Sequence, residues 1–186
     1  MTLPLALSLV LPTAALAEEE TVRIDAIASS VWSESDLSAE SAMSGGLELG
    51  LRADVRRLYG SLEGRGIGQD LWTGRAAAGI DLLGMSDMVD IEVGVFSGAG
   101  GSLAAGSELV GFTPLVGLEF GLGLDIGRFS GSYRHGQELA AGWTEERVRL
   151  GLELGDRTEV FGQLTRLTPG EQAARDSVGI GLAMKF

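Results

Sequence analysis

The last nine residues, Val178–Phe186, read VGIGLAMKF and alternate between two kinds of side chain. Large apolar residues take every second position, and glycine, alanine or lysine stands between them. Because the side chains of a β-strand point alternately to opposite faces, this segment predicts a strand with one face in lipid and the other in a closed interior. The apolar face comprises Val178, Ile180, Leu182, Met184 and Phe186.

The same alternation recurs along the chain, for example in Leu47–Asp54, Val89–Phe96, Val116–Leu124 and Arg147–Leu154. In each segment, apolar residues alternate with charged residues or glycine. Segments of about ten residues with this pattern, separated by turn residues, are the expected signature of a transmembrane β-barrel. Beyond the N-terminus the chain has no run of about 18 uncharged apolar residues, which excludes a helical membrane span.

The strand that ends on Phe186 resembles the C-terminal signal of bacterial outer-membrane β-barrel proteins, which the barrel assembly machinery reads. The resemblance is to small outer-membrane barrels as a class, and it transfers no functional residues. It implies a location in the bacterial outer membrane. The implied partners are outer-membrane lipid, lipopolysaccharide and, during biogenesis, the assembly machinery.

Residues 1–17, MTLPLALSLVLPTAALA, predict a cleavable signal peptide, so that the barrel domain comprises residues 18–186. Leu3–Leu11 is a short apolar core, and Ala15-Leu16-Ala17 is a cleavage site of the A-x-A kind. No Lys or Arg precedes the apolar core. Either the terminal amine supplies the positive charge alone, or translation starts upstream.

The connections between the predicted strands alternate between short and long, as expected for inner turns and outer loops. Starting with a strand at Val22–Trp32 and ending at Phe186, this pattern predicts ten antiparallel strands. The strand Leu58–Glu63 is short, and losing one hairpin leaves eight strands as the alternative. The short connections are Val55–Arg57, Gly84–Asp87, Asp125–Arg128 and Gly155–Thr158, and the long ones are Ser33–Gly45, Gly64–Asp70, Gly98–Glu108, Gly136–Gly142 and Thr168–Arg175.

Aromatic residues fall near the predicted strand ends. Trp32, Trp72 and Trp143 are expected at the outer interface, in an aromatic girdle. Tyr59, Phe129, Phe161 and Phe186 are expected near the inner interface. A soluble β-sandwich, the rival fold, gives no reason for this sorting.

The inward faces carry charges of both signs, which predicts ion pairing inside a filled lumen, because a barrel of eight to ten strands is about wide enough for its side chains to fill it. Eleven of these inward residues are expected to form a lumen charge network: Arg23, Glu48, Arg52, Asp54, Arg75, Asp90, Glu92, Glu119, Arg147, Arg149 and Glu153. The inward residues are Arg23, Asp25, Glu48, Arg52, Asp54, Arg75, Asp81, Asp90, Glu92, Glu119, Arg147, Arg149, Glu153 and Lys185.

Composition limits the remaining chemistry. The formal charge is −12, and the pI near 4.4 with no basic patch disfavours nucleic acid as a partner. One histidine and no cysteine leave only carboxylates as metal ligands, so no zinc site and no cofactor are predicted. Glu34, Asp36, Glu40 and the pair Glu145–Glu146 predict a solvated acidic rim, with binding of Ca²⁺ or Mg²⁺ as the alternative.

The single histidine, His135, raises the alternative of a lipid-modifying hydrolase. Ser132 lies three residues away, which puts the two side chains on opposite faces of a strand. Gln137, on the same face, is no nucleophile, although Glu138 could orient the imidazole. No catalytic residue is therefore predicted.

The sequence favours a small, mostly closed barrel that acts as a structural or interaction protein of the outer membrane. The first alternative is a narrow channel for ions or small solutes, if Gly117, Gly121, Gly123, Gly151, Gly179 and Gly181 leave a passage. The second alternative is the hydrolase at His135.

Overall fold

The computed structural model describes residues 20–33, 44–67, 71–82, 88–103, 109–140, 142–170 and 174–186. The described residues form ten strands and no helix that is long and apolar enough to cross a membrane. The strands are β1 (Glu20–Ser33), β2 (Ser44–Val55), β3 (Leu58–Ile67), β4 (Leu71–Asp81), β5 (Val89–Leu103), β6 (Leu109–Ile126), β7 (Phe129–Glu138), β8 (Thr144–Gly155), β9 (Thr158–Thr168) and β10 (Arg175–Lys185).

Each strand pairs antiparallel with its neighbours in sequence, and β1 pairs with β10 to close the barrel. The ten-stranded antiparallel barrel is confirmed, and the eight-stranded alternative is wrong. A row of paired residues that starts at Glu20 and follows the register around the barrel returns to β1 at Trp32, twelve residues further along. This stagger is what tilts the strands against the barrel axis, by about 35–45° in barrels generally.

Three outer connections are shorter than the sequence predicts, and one of them is Gly136–Gly142, since β7 continues to Glu138. Strand β3 continues to Ile67 and β5 continues to Leu103, so residues predicted as loop belong to the sheet. The segment Gly98–Leu103 is rich in glycine, which weakens strand propensity. Its pairing with β4, where Leu71 lies opposite Ser102, overrides that preference.

The two surfaces of the barrel differ sharply in polarity. Large apolar side chains point outward along the strands, and Leu150 and Ile180 are 69% and 70% exposed. Charged side chains such as Glu119 and Glu159 are instead buried inside. An apolar exterior around a closed polar interior is the surface of a membrane-spanning barrel, the architecture of outer-membrane proteins. The soluble sandwich is excluded.

The inward glycines leave room for aromatic and acidic side chains. A Cβ at Gly117 would lie 2.4 Å from Phe96, and one at Gly181 would lie 2.3 Å from Phe161. A Cβ at Gly151 would lie 2.0 Å from a carboxylate oxygen of Glu159. These glycines therefore mark filled space. Gly179 likewise lies against Ile27 and Ser29, whereas Gly121 and Gly123 lie beside Glu92 and Asp90 and also line the open inner part of the lumen.

The predicted signal peptide, residues 1–17, lies outside the described residues and stays a prediction.

Candidate functional site

The lumen holds the concentrated polar chemistry of this barrel. Across the described residues, seven arginines and eight carboxylates form two groups of connected ion pairs there. They are Arg23, Arg52, Arg65, Arg75, Arg134, Arg147 and Arg149, with Asp25, Glu48, Asp54, Glu63, Glu92, Glu119, Glu145 and Glu159. Near balance of charge lets a polar interior stay buried without unpaired ions.

The middle of the lumen is crossed by a group that we call the central ion-pair layer: Glu48, Glu63, Arg65, Arg75, Glu119, Glu145 and Arg147. Arg147 on β8 is its hub, with guanidinium nitrogens 3.3, 2.9 and 2.6 Å from carboxylate oxygens of Glu48, Glu63 and Glu145. These partners come from β2, β3 and β8 itself. The layer thereby joins strands that are not neighbours in the sheet.

Two further arginines complete the central ion-pair layer. Arg75 on β4 lies 3.2 Å from Glu63 and 2.5 Å from Glu119, which is buried and also accepts a hydrogen bond from the Tyr59 hydroxyl. Arg65 on β3 lies 2.8 Å from Glu48. The side chains of both arginines are less than a tenth exposed. Guanidinium groups suit such positions because each offers five donors in a fixed plane.

Nearer the inner end, Glu159 on β9 is held between two arginines. Arg23 and Arg149 lie 3.2 and 3.3 Å from its carboxylate oxygens, and the Ser130 hydroxyl donates a hydrogen bond at 3.1 Å. The Arg149 guanidinium also stacks on the Phe161 ring, 3.2 Å from its centroid. Glu159 is 1% exposed, so its charge depends on these partners.

A second inner group of ion pairs links β2, β5 and β7. Arg52 on β2 pairs with Asp54 at 2.6 Å and with Glu92 on β5. Arg134 on β7 reaches Glu92 at 3.3 Å and Glu63 at 3.4 Å, which connects this group to the central ion-pair layer. The Arg52 guanidinium lies over the Tyr59 ring, 4.6 Å from its centroid.

The outer end of the lumen contains an apolar cluster, with the carboxylate of Glu138 buried beside it. Trp143 packs against two groups of buried residues, and a Cβ at Gly100 would lie 2.7 Å from its indole. We call this set the outer cap; its members are Trp143, Val31, Leu71, Ala77, Phe96, Leu115 and Leu167. The described residues thus place an apolar cluster, with Glu138 and Thr165 buried near it, above a layer of paired charges.

The inner half is open. A cavity of about 480 Å³ extends from the inner turns to Glu63 and Arg147 of the central ion-pair layer. Its mouth is lined by Asp81, Asp90 and Asp125 on β4–β6, and by Arg23 and Lys185 on β1 and β10, among other residues. The cavity is polar and opens toward the end of the barrel that carries the short turns.

The structure brings ten of the eleven residues predicted as the lumen charge network into ion pairs. Arg23, Glu48, Arg52, Asp54, Arg75, Glu92, Glu119, Arg147 and Arg149 belong to the pairs described above, and Glu153 pairs with Lys185 at 2.6 Å. Asp90 lines the cavity mouth and forms no ion pair with another described residue.

Five members of the pairs escaped the sequence analysis: Glu63, Arg65, Arg134, Glu145 and Glu159. Glu63 and Arg65 lie at and beyond the end of the strand that the sequence predicts at Leu58–Glu63, so the local pattern gives them no inward direction. Glu145 was grouped with its neighbour Glu146, although adjacent residues of a strand face opposite sides. The signal for Glu159 was present, because Glu159, Phe161, Gln163 and Thr165 alternate with outward residues.

The girdle prediction for Trp143 is wrong, because the indole packs inside the barrel in the outer cap. Trp72 occupies an outward-facing position of β4, near the outer end of the strand. Trp32 lies at the outer end of β1, opposite Asp176. Tyr59 and Phe161, expected at the inner interface, are instead buried in the lumen, while Phe129 and Phe186 face outward.

His135 has no catalytic setting among the described residues. Its Nδ1 lies 3.7 Å from Glu146 on the outward face, whereas Glu138, the predicted orienting residue, is buried and accepts a hydrogen bond from the Ala140 amide. Ser132 lines the inner cavity on the other face of β7. The imidazole therefore has a carboxylate neighbour and no serine within reach.

The acidic clusters are separated or undescribed. Glu145 points inward into the central ion-pair layer and Glu146 points outward, so the two do not form one site. Glu34, Asp36 and Glu40 lie outside the described residues. Within the described ranges, no group of three or more His, Asp or Glu side chains is arranged to hold a metal ion.

The predicted assembly signal lies on β10, which closes the barrel against β1. Val178, Ile180, Leu182, Met184 and Phe186 all face outward and are 43–70% exposed. Their placement on the lipid side accords with the strand pattern. Their reading by an assembly machinery stays a prediction.

Comparison with known proteins yields no family model and no curated protein sequence that matches this chain. Solved structures of similar shape include the KdgM porin in complex with disordered oligogalacturonate (TM-score 0.47, 8% identity, 88% of this chain and 99% of that chain). Another is Neisserial surface protein A (TM-score 0.41, 10% identity, 90% of this chain and 97% of that chain). A third is the β domain of the Bordetella autotransporter BrkA (TM-score 0.48, 11% identity, 90% of this chain and 99% of that chain). Likeness at this level concerns barrel architecture alone and carries no argument about function.

Proposed function

We propose that the protein is a closed, non-conducting barrel that acts as a structural or interaction protein of the outer membrane. Outer-membrane lipid and lipopolysaccharide surround its exterior in this proposal, and the barrel assembly machinery is its partner during biogenesis. The observation that carries the proposal is the double seal of the lumen, in which the outer cap lies above the central ion-pair layer.

Each part of the seal opposes solute passage in a different way. The outer cap removes water from the outer half of the lumen, which is unfavourable for any ion. The guanidinium and carboxylate groups of the central ion-pair layer are already paired, so a permeating ion would have to displace a buried partner. Gly117, Gly181 and Gly151 are covered by Phe96, Phe161 and Glu159, so they leave no passage through the lumen.

A narrow channel is the second candidate, and the cavity of about 480 Å³ favours it. The cavity already gives water and small solutes access to the inner half of the lumen. Conduction would require the outer cap and the central ion-pair layer to move aside. In our proposal they do not, and the cavity is a blind, polar pocket that faces the periplasm.

Single-channel recording separates the two candidates. The purified full chain, inserted into planar lipid bilayers, is expected to show no stable unitary steps, with insertion verified by resistance of the reconstituted barrel to SDS until it is heated. The triple variant Arg75→Ala/Arg147→Ala/Trp143→Ala removes the indole of the outer cap and two arginines of the central ion-pair layer, and steps from it would show that the assay is sensitive. Stable steps from the unaltered protein would overturn the proposal whether or not the variant folds.

A further inference from the structure

Two neighbouring side chains on the wall of the inner cavity each keep one buried hydrogen-bonding atom without a partner. Arg149 on β8 and Gln163 on β9 are opposite each other in the register, and both line the cavity. Within the described residues, the Nε of Arg149 donates no hydrogen bond and the Oε1 of Gln163 accepts none. Opposite residues of antiparallel strands have Cβ atoms about 5 Å apart, so a free donor and a free acceptor lie side by side.

The remaining polar atoms of both side chains are held in place. The Arg149 guanidinium pairs with Asp25 at 3.0 Å and with Glu159 at 3.3 Å. The Gln163 Nε2 donates a hydrogen bond to Glu48 at 3.2 Å. Neither side chain can turn toward a new partner without losing these contacts. The wall therefore presents its free donor and free acceptor in a fixed arrangement, which lowers the ordering cost of binding.

A third free group lies across the lumen. Ser61 on β3 lines the cavity, is 6% exposed, and its hydroxyl has no hydrogen-bond partner in the part of the chain that the structure describes. Strands β3 and β8 are five strands apart in the closed barrel, so Ser61 faces Arg149 from the opposite wall. Gln163 is 5% exposed. Buried polar groups are unfavourable without partners, so these positions favour a guest that supplies them.

The charges around the cavity do not select an ion. Glu63, at the deep end, is paired with Arg134 and Arg147, so an ion that enters there has to displace a buried partner. The rim carries carboxylates such as Asp90 and guanidinium groups such as Arg56, and it favours neither sign. An uncharged guest can instead bind the free groups and leave every ion pair intact.

We propose that the inner cavity binds a small neutral molecule with several hydroxyl groups, a polyol or a neutral sugar. A hydroxyl both donates and accepts, so one hydroxyl satisfies Arg149 and Gln163 together, and another pairs with the Ser61 hydroxyl. The cavity volume of about 480 Å³ is within the range of small-molecule sites. The inference goes beyond the proposed function, since entry from the end with the short turns requires no passage through the outer cap.

A comparison of neutral and charged probes tests the ligand class. The full chain in lipid nanodiscs is examined by saturation-transfer NMR with glucose, trehalose and glycerol, and empty nanodiscs give the background. At least one neutral probe is expected to bind saturably. Glucosamine and glucuronate each add one charge to the sugar ring and are expected to bind more weakly, because a charge gives up hydration in a lumen whose ions are already paired. Binding of none of the neutral probes, or preference for a charged one, would overturn the proposal.

The variant Ser61→Ala locates the site. Loss of one hydrogen bond is expected to weaken binding of the neutral probe about three- to tenfold. Resistance of the barrel to SDS is expected to persist, because the hydroxyl has no partner among the described residues to lose. Ser29→Ala is the matched control, since the Ser29 hydroxyl lies against Gly46 outside the cavity, and it is expected to leave binding unchanged. Equal affinities of the unaltered protein and Ser61→Ala would refute the site, and the probe comparison stands whether or not the variant folds.

Discussion

Replacing Arg147 with methionine is expected to lower the free energy of unfolding by about 3–5 kcal/mol, the usual cost of removing one partner from a buried ion pair. The Arg147 side chain is 11% exposed and contacts three carboxylates. Methionine keeps much of the volume and removes the charge, which leaves Glu48, Glu63 and Glu145 with less compensation. The loss is measured as a shift of the urea unfolding curve of the barrel in lipid or detergent.

The matched control for Arg147→Met is Lys185→Met. Lys185 also forms an ion pair, with Glu153 at 2.6 Å, but both side chains are about a third exposed. Water screens this pair, so its removal is expected to cost no more than about 1 kcal/mol. Adding Glu145→Gln to Arg147→Met removes one of the stranded carboxylates and is expected to recover part of the stability. Equal losses for Arg147→Met and Lys185→Met would contradict the buried network.

Replacing Trp143 with alanine is expected to cost about 3 kcal/mol, near the lower end of what is found for buried tryptophan because the indole is only partly buried. The indole joins the two apolar groups of the outer cap, so its loss leaves a cavity between them. The measurement is the temperature at which the barrel loses its resistance to SDS on an unheated-versus-heated gel series.

Leu139→Ala provides the comparison for Trp143→Ala. Leu139 follows β7 at the same end of the barrel, but its side chain is 65% exposed. Truncation there opens no cavity, and the heat-resistance temperature is expected to change little. If Trp143→Ala also left that temperature unchanged, the indole would not be part of a packed cap.

The architecture was accessible from the sequence because alternation of apolar and polar residues is a local property. The strand Val178–Phe186 shows its two faces without any knowledge of its neighbours. The strand number followed from the alternation of short and long connections. Strand ends were less accurate at Gly98–Leu103, because pairing with β4 rather than local propensity keeps this glycine-rich segment in the sheet.

The site was accessible only in part. Opposite charges on inward positions predicted pairing, but the partners were set by the register and closure of ten strands. Whether the Trp143 side chain points to lipid or into the lumen depends on where β8 begins. A shift of the strand by one residue moves each side chain to the opposite face of the sheet. His135 showed the same limitation, since its acidic neighbour Glu146 comes from the adjacent strand rather than from the nearby Glu138.

A lumen that is sealed in its outer half and open in its inner half exposes only its inner half to water-soluble reagents, so thiol labelling distinguishes it from a continuous pore. In a chain without native cysteine, Ser132→Cys lines the inner cavity, and Thr165→Cys replaces a buried residue on β9 between Gln163 of the cavity and Leu167 of the outer cap. In lipid nanodiscs, where both ends of the barrel meet solvent, a water-soluble maleimide is expected to modify Ser132→Cys readily. Thr165→Cys is expected to stay unmodified until the barrel unfolds, whereas labelling of both positions at the same rate would contradict a sealed lumen.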